Sequence, residues 1–294
     1  MQKRSRGLRE LCGLLGYSAQ SYYQHCRGTA VRTFKYEELI LQLLEYRRLQ
    51  PRLGARKLLT MLQANGFSIG RDAFFDLLRE NGLLVRKRRN RVRTTFSYHR
   101  FRKYPDLTGG LVTERAEQLW VSDITYIRLK TGFAYLSLIT DAYSRKIIGF
   151  CMSHDLSTDS CLSALRMALA TRRSTLPVIH HSDRGIQYCS QVYTALLNKK
   201  GIRISMTQSG DPRENAIAER VNGILKMELL KESYDNLDIA CRAVKLAVNT
   251  YNRLRPHSSL DMLTPERAHQ RTGVIRRRWR NYYPQKERGV AMSE

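Results

Sequence analysis

Negative charge is what this chain has least of: 26 Asp and Glu stand against 51 Lys and Arg across 294 residues, a formal net charge of +25. A field of that size implies a polyanionic partner, either nucleic acid or an anionic membrane surface. Long apolar runs are missing as well. No stretch approaches the roughly 18 consecutive apolar residues of a membrane span, and the opening MQKRSRGLRELCG has no signal-like apolar core or cleavage site. These absences favour nucleic acid, and predict a cytoplasmic chain, nucleoid-associated when bound to DNA, with no membrane partner. Cysteine is sparse and scattered: the six residues form no CxxC pair, so neither a zinc ribbon nor a disulfide framework is indicated and a reducing compartment fits. His180 and His181 are adjacent but lack a Cys pair at finger spacing. They read as structural, or as close to substrate.

The charge that is present is unevenly placed. Residues 1–110 hold 23 Lys and Arg against 8 acids, residues 111–269 hold 21 against 16, and residues 270–294 hold 7 against 2. The basic excess lies on the flanks and the centre keeps its acids. In the first flank Leu8, Leu11, Leu14 and Leu15 recur at helical spacing, Gly16 interrupts, and Ser18 can cap a short second helix, AQSYYQHC. Residues 1–30 thus read as a helix-turn-helix-like segment or as a plain helical hairpin. If it binds DNA, Gln20, Ser21 and Tyr22 are placed to reach base edges. A longer helix over residues 36–48 sets Leu39, Ile40, Leu43 and Leu44 on one face and stops at Pro51 and Gly54. Helices over 56–64 and 71–81 follow, separated by Asn65-Gly66, the second turning Phe74, Phe75, Leu77 and Leu78 inward and closing at Gly82. Residues 36–85 therefore form a helical DNA-binding unit. Residues 86–110 read as a basic linker in which Arg86, Lys87, Arg88, Arg89, Arg91 and Arg93 track phosphates, and residues 274–294 as a basic tail.

From Leu119 the apolar period changes to two. LWVSDITYIRL alternates, AYLSLIT and KIIGFC are further strands, and turns at 130–132 and 142–144 join the three into a meander. A helix over 158–172, a strand over 178–181, a helix near 191–199, a strand over 203–206 and a helix carrying Glu219 complete the order βββαβαβα. That is the order of the ribonuclease-H-like fold. The predicted class is α/β: a catalytic core over residues 111–273 with a mixed five-stranded sheet and helices, preceded by all-α helix-turn-helix-like units. In that order the first strand lies centrally beside the fourth, so Asp123, Asp183 and Glu219 can converge although 59 and 35 residues separate them in sequence.

Exchange at a phosphodiester requires the attacking and leaving oxygens to be stabilised together, which two metal ions held by carboxylates do. Mg²⁺ is a hard ion that takes oxygen donors, so Asp and Glu are the residue types required. Taken singly, Asp123 is equally a strand-end acid with a local turn bond, and Asp183 a turn residue before Arg184-Gly185; the element order is what favours the joint reading. Lys226 follows Glu219 by seven residues, almost two helical turns, and so shares its face. There it could hold DNA phosphate beside the site, or be a solvated helix charge in a network with Glu219 and Arg220.

On the motifs WVSDITYI, YLSLITDAYSRKIIGF, HHSDRGIQYCS, ISMTQSGDPRENAIAERVNGILKMELL and YNRLRPHSSLDMLTPERA, the chain resembles the DDE transposases of bacterial insertion sequences, specifically the OrfB product of the IS-three family. The resemblance covers residues 120–273, and the helical unit 36–87 more loosely. It implies that Asp123, Asp183 and Glu219 are the catalytic, metal-binding triad, that Lys226 is the basic residue following the glutamate, and that Arg220 also contacts DNA. It further implies Mg²⁺, or Mn²⁺ in its place; double-stranded DNA, both element ends and target, as substrate; a homo-oligomer on DNA; an OrfA partner or fusion; and a copy-type route through a joined-end circle. The implied activity is metal-dependent cleavage and strand transfer at element ends. The alternative is a non-catalytic DNA-binding regulator derived from such an element. PRLGAR at residues 51–56 departs from the family's aromatic-Gly-aromatic-Arg turn, and the zinc-binding His/Cys pattern of retroviral-type integrases, whose core is similar, is missing.

Overall fold

The computed structural model describes residues 7–85, 101–208 and 212–276. The basic stretch holding Arg86, Lys87, Arg88, Arg89, Arg91 and Arg93 lies outside them, as does nearly all of the C-terminal tail. Among the described residues no helix is long and apolar enough to cross a membrane.

Four helices come first: α1 (Leu8–Leu14), α2 (Ala19–Leu49), α3 (Ala55–Ala64) and α4 (Arg71–Glu80). Ser18 caps α2, its side chain accepting from the Ser21 backbone N–H at 3.0 Å. Two helices were expected between residues 18 and 48; one helix of 31 residues is present, running through the expected boundary between the first two units. Gly28 is the only breaker inside it, and one glycine costs a helix only about 1 kcal/mol relative to Ala, too little to end one whose neighbours continue the pattern. The leucines of α1 do not make the expected buried face: Leu11, Leu14 and Leu15 are exposed and Cys12 is the buried residue. Leu39 and Leu43 of α2 pack with Leu58 and Leu62 of α3 and Phe74, Leu77 and Leu78 of α4, while Leu44 is exposed and Phe75 only partly covered. Gly66 and Gly82 take positive φ at the two helix ends, where a side chain would be strained.

The core is one five-stranded sheet in the order β3-β2-β1-β4-β5, built from β1 (Leu119–Leu129), β2 (Gly132–Asp141), β3 (Ile147–Ser153), β4 (Ile179–Ser182) and β5 (Arg203–Met206). The first three strands are antiparallel, whereas β4 runs parallel to both β1 and β5. This is the ribonuclease-H-like arrangement expected from the element order. On one face, α5 (Thr158–Thr171) and α7 (Gln191–Lys199), preceded by the short α6 (Ile186–Cys189), bury Leu162, Leu165, Tyr193 and Leu197 against Trp120, Ile139 and Met206. Gly149 of β3 is obligatory there, because a Cβ would run into the Ala164 carbonyl of α5.

The other face is covered by α8 (Ala216–Ile224), a wide turn with π-helical bonding over Leu225–Leu229, and α9 (Leu237–Arg253), followed by α10 (Pro265–His269). The strand-and-helix order read from the sequence stopped at the Glu219 helix, so α9 is an addition. It is a regular amphipathic helix: Ala240, Val244, Ala247, Val248 and Tyr251 recur at i, i+4, i+7, i+8 and i+11 and are all buried. Asn252 behaves as an extra strand residue, bonding both the N–H and the C=O of Ile147 at 2.9 Å. The expected linker also ends early. The Leu107 N–H donates to Ser205 Oγ at 2.8 Å and the Met206 N–H to the Pro105 carbonyl at 3.3 Å, so residues 104–108 cover the free edge of β5.

The helical unit docks on the core through Glu228. Its carboxylate accepts two 2.9 Å bonds from the guanidinium of Arg255, which is buried, and lies 3.6 Å from Lys57 of α3; its backbone carbonyl accepts from the Arg52 N–H at 3.2 Å. The divergent PRLGAR turn thus makes a contact after all, through its backbone. Burial pushes Glu228 up, but the bidentate Arg255, with Lys57 and Arg220, more than offsets it and holds the group below the usual carboxylate range. Removing one partner of such a pair strands the other charge, at about 3 kcal/mol. We therefore expect Glu228→Ala to lose about that much stability in urea unfolding and to open residues 52–57 to limited proteolysis. An unchanged midpoint and cleavage pattern would mean that Glu228 is not the docking point.

Candidate active site

The parallel pairing of β1 with β4 determines where the site lies. The ladder ends at Ser122 opposite Ser182, so the next residues, Asp123 inside β1, still paired with Leu138 of β2, and Asp183 just past the end of β4, stand side by side where the two strands part. Both Asp123 oxygens are engaged: Oδ1 accepts from the Ile124 N–H at 2.9 Å, and Oδ2 from the Asn222 side-chain amide of α8 at 2.7 Å. Asp183 Oδ1 accepts from the Gly185 N–H at 3.0 Å. A Cβ at Gly185 would come within 2.9 Å of that same oxygen, so glycine is needed for the turn to close on the carboxylate. Asp183 thus makes the local turn bond, and its charge also acts on Asp123.

Glu219 is exposed, in the first turn of α8. Glu219, Asn222 and Lys226 recur at i, i+3 and i+7 and all act towards β1: Asn222 bonds Asp123, Lys226 Nζ lies 3.2 Å from Thr125 Oγ1 and 3.9 Å over the Tyr126 ring, and the Glu219 charge acts on Asp123. The shared face expected for Glu219 and Lys226 is present. Lys226, however, is not a solvated charge. It is half-buried; burial lowers its pKa and the Asp123 carboxylate opposes that shift.

Asp123 is pushed up to about 7, first by burial and then by the neighbouring Asp183 carboxylate, with Glu219 adding to it; the bonds from Asn222 and Ile124 only partly offset this. The three carboxylates therefore form one electrostatic cluster. Among the described residues no three His, Cys, Asp or Glu side chains stand close enough to enclose one ion as they are. The donor set nonetheless suits a hard divalent cation: all oxygen, with one member held partly protonated for want of positive charge.

The two adjacent histidines are structural. His180 is fully buried, with Nε2 2.7 Å from Ser122 Oγ and 3.0 Å from the Tyr193 hydroxyl, and burial, then the neighbouring His181, lowers its pKa to about 3. His181 bridges Ser205 Oγ at 2.8 Å and the Glu214 carbonyl at 3.2 Å, tying β4 to β5 and to the turn before α8. Gln20, Ser21 and Tyr22 are exposed at the start of α2. Arg220 is exposed on α8, a helical face away from Asp123. Sequence reasoning missed Asn222 and Glu228, and noted Arg255 only as part of the family's Arg-Pro-His signature; the i+3 spacing of Asn222 from Glu219 was the available signal for the first.

A carboxyl group whose pKa is raised on folding binds its proton more tightly in the native state, so its stabilising contribution is complete below about pH 4 and lost as pH rises to about 7. Without metal, Asp123→Asn should match wild type near pH 4 and exceed it by about 2 kcal/mol at pH 8 in urea unfolding. Adding a divalent ion at pH 8 should close the gap by stabilising wild type alone. A difference that does not vary with pH would show that Asp123 is not crowded by its neighbours.

Comparison with known proteins agrees with this geometry. Two integrase core domain families match, one over residues 113–212 and the other over 200–265. The chain is 33% identical over 269 residues to an uncharacterised 31 kDa protein of insertion element IS600 from Shigella sonnei, covering 88% of this chain and 99% of that protein. It is 34% identical over 216 residues to the transposase for insertion sequence element IS629, also from Shigella sonnei, covering 73% of each. To the transposase InsF for insertion sequence IS3A of Escherichia coli K12 it is 31% identical over 266 residues, covering 88% of this chain and 92% of that one. With an integrase core on a ribonuclease-H-like sheet and these relatives along nearly its whole length, the chain belongs to the IS3-type transposases of bacterial insertion sequences.

Proposed function

We propose that Asp123, Asp183 and Glu219 are the catalytic residues of this transposase and together hold Mg²⁺, or Mn²⁺ in its place, for cleavage and strand transfer at element ends. The observation that carries this reading is geometric: the parallel β1–β4 register sets Asp123 beside Asp183, and α8, which carries Glu219, is bonded to Asp123 through Asn222. Such a cluster is under-compensated until a cation joins it. When bound there, divalent metal would lower the barrier to in-line displacement by neutralising charge on the attacking and leaving oxygens.

The remaining work falls to the chain's own side chains. Asn222 orients Asp123 through Oδ2 and leaves the carboxylate ionisable. Lys226, steadied by Thr125 and the Tyr126 ring, presents its ammonium beside the cluster, where it holds a DNA phosphate. Attack by a 3′ hydroxyl liberated by cleavage requires no covalent protein–DNA intermediate. The basic residues Arg86, Lys87, Arg88, Arg89, Arg91 and Arg93, with Gln20, Ser21 and Tyr22, supply further backbone and end contacts, in a homo-oligomer on DNA with an OrfA partner or fusion.

Incubation with duplex DNA carrying element ends, in Mg²⁺, should yield nicked and joined products. Asp123→Asn, Asp183→Asn and Glu219→Gln should each abolish them while DNA affinity is largely kept. Asn222→Ala should lose about 10–100-fold in rate, the usual cost of an outer-shell partner. Ca²⁺ should support binding and block chemistry. Wild-type transfer by any one of the three carboxylate variants would remove that residue from the site, and nicking by none of the proteins in any metal would favour the regulator.

Lys226 is separable from the triad. Lys226→Ala should weaken end binding and slow cleavage with the metal requirement unchanged, and Lys226→Arg should restore part of both. Wild-type behaviour of Lys226→Ala in both assays would reduce it to a structural charge.

A further inference from the structure

The face of α8 turned away from Asp123 borders a second feature. Ala216, Ile217, Arg220 and Val221 line a cleft of about 630 Å³ whose other walls come from Lys57 of α3, Arg145 in the β2–β3 turn, and Arg255, His257 and Ser258 after α9. Four cations from four separate elements face one space, and no Asp or Glu is among its lining residues. Glu228, behind the wall, balances Arg255 and part of Lys57. The crowding is felt: burial, Arg255 and Arg220 bring Lys57 down to about 8 against the pull of Glu228.

His257 supplies an independent sign of a missing ligand. It is only 7% exposed; its Nδ1 lies 2.9 Å from Ser259 Oγ, and its Nε2 is buried with no partner among the described residues. Burial, then Arg255, Lys57, Arg145 and Arg220, keeps this ring neutral. His257 is among the residues lining the cleft, and its neutral ring has a single N–H, on Nε2 if Ser259 Oγ donates to Nδ1 and on Nδ1 if it accepts. A buried polar nitrogen left unpaired costs about 1–3 kcal/mol. Arg145 reaches its place from a left-handed backbone at φ 62, a conformation that costs a non-glycine residue of order 1–3 kcal/mol and that clusters at binding sites.

We propose that this cleft binds a phosphodiester group of the DNA backbone, distinct from the one presented to the carboxylates. The ligand is an anion with several acceptor oxygens, because the cleft offers three guanidinium groups, an ammonium group and the Ser258 hydroxyl, with the His257 ring in its lining. It is a second phosphate because α8 stands between: Glu219, Asn222 and Lys226 lie on one side of a helix about 10 Å across, and Arg220 and Ile217 on the other. The identification of the anion as DNA rests on the transposase reading; the existence of the anion site does not. Since Lys57 belongs to the helical unit and the other cations to the core, the site is complete only when the two are docked.

The test uses the full-length chain without divalent metal. Inorganic phosphate should shift the His257 Nε2 resonance, assigned with His257→Gln, in a saturable way, and Arg220→Gln should weaken that response at least tenfold. Duplex oligonucleotide should displace the phosphate. In Arg220→Gln/Arg145→Asn, chosen because Asn tolerates positive φ, the slope of log affinity for DNA against log salt should fall by about two units, at about 0.9 per phosphate contact. No His257 response to phosphate or DNA overturns the site. A phosphate response that DNA does not displace, or an unchanged salt slope, overturns its assignment to the DNA backbone. Because no metal or turnover is involved, these outcomes are independent of whether Asp123, Asp183 and Glu219 prove catalytic.

Discussion

The rest of the molecule depends on four residues of parallel pairing between β1 and β4. That register, ending at Ser122 opposite Ser182, places Asp123 beside Asp183; a slip by one residue would turn one of them to the opposite face of the sheet. Such a short ladder would be weak alone. It is fixed by side chains that bridge strands: His180 joins Ser122 of β1 to Tyr193 of α7, and His181 joins β4 to Ser205 of β5. Asn215 adds a bond from the entry to α8 to the Ser122 carbonyl at 2.8 Å. The residues preceding each aspartate are thus fully buried and bonded, and the aspartates are the first positions beyond the β1–β4 pairing, Asp123 remaining on β1 opposite Leu138 of β2.

Much of this was legible because it is local or periodic. The change from a 3.6 to a 2 residue period at Leu119, the caps at Ser18 and the glycine stops at Gly66 and Gly82 each follow from the residue types present. The strand order followed from a rule about connections. What was not legible depends on partners far apart in sequence. Nothing in residues 104–108 signals that they will cover β5, since their bonds go to Ser205 and Met206 about a hundred positions later. Likewise Glu228 reads as one more helix acid until Arg255 and Lys57 close on it. Helix α2 failed differently: a break was placed where the apolar pattern weakens, but a weak pattern ends a helix only when a competing turn is available, and residues 27–35 offer none.

The wide turn over Leu225–Leu229 illustrates how a local irregularity serves two neighbours. A π-type turn adds a residue to the helix and shifts the facing of everything after it. Here it follows Asn222 and contains both Lys226 and Glu228. Lys226 turns towards Thr125 and Tyr126 on β1, while Glu228 turns the opposite way to Arg255, Lys57 and the Arg52 N–H. One segment therefore connects the carboxylate cluster to the helical unit.

Charge on the two sides of α8 is unbalanced in opposite senses. Towards β1 three carboxylates crowd together, and Lys226 beside them is itself disfavoured by burial as a charge. Towards the Arg255 segment four cations line one cleft, and Glu228 behind it is bonded to Arg255 and paired with Lys57. Lys226 cannot relieve the first cluster, nor Glu219 the second, because the helix body separates them. Each imbalance would be offset by a ligand of opposite sign. The compensators must be of opposite sign and must arrive within about one helix diameter of each other. Divalent metal on one face and a DNA phosphate on the other satisfy that requirement, and DNA that brings a phosphate to both faces would draw the two compensators to α8 together.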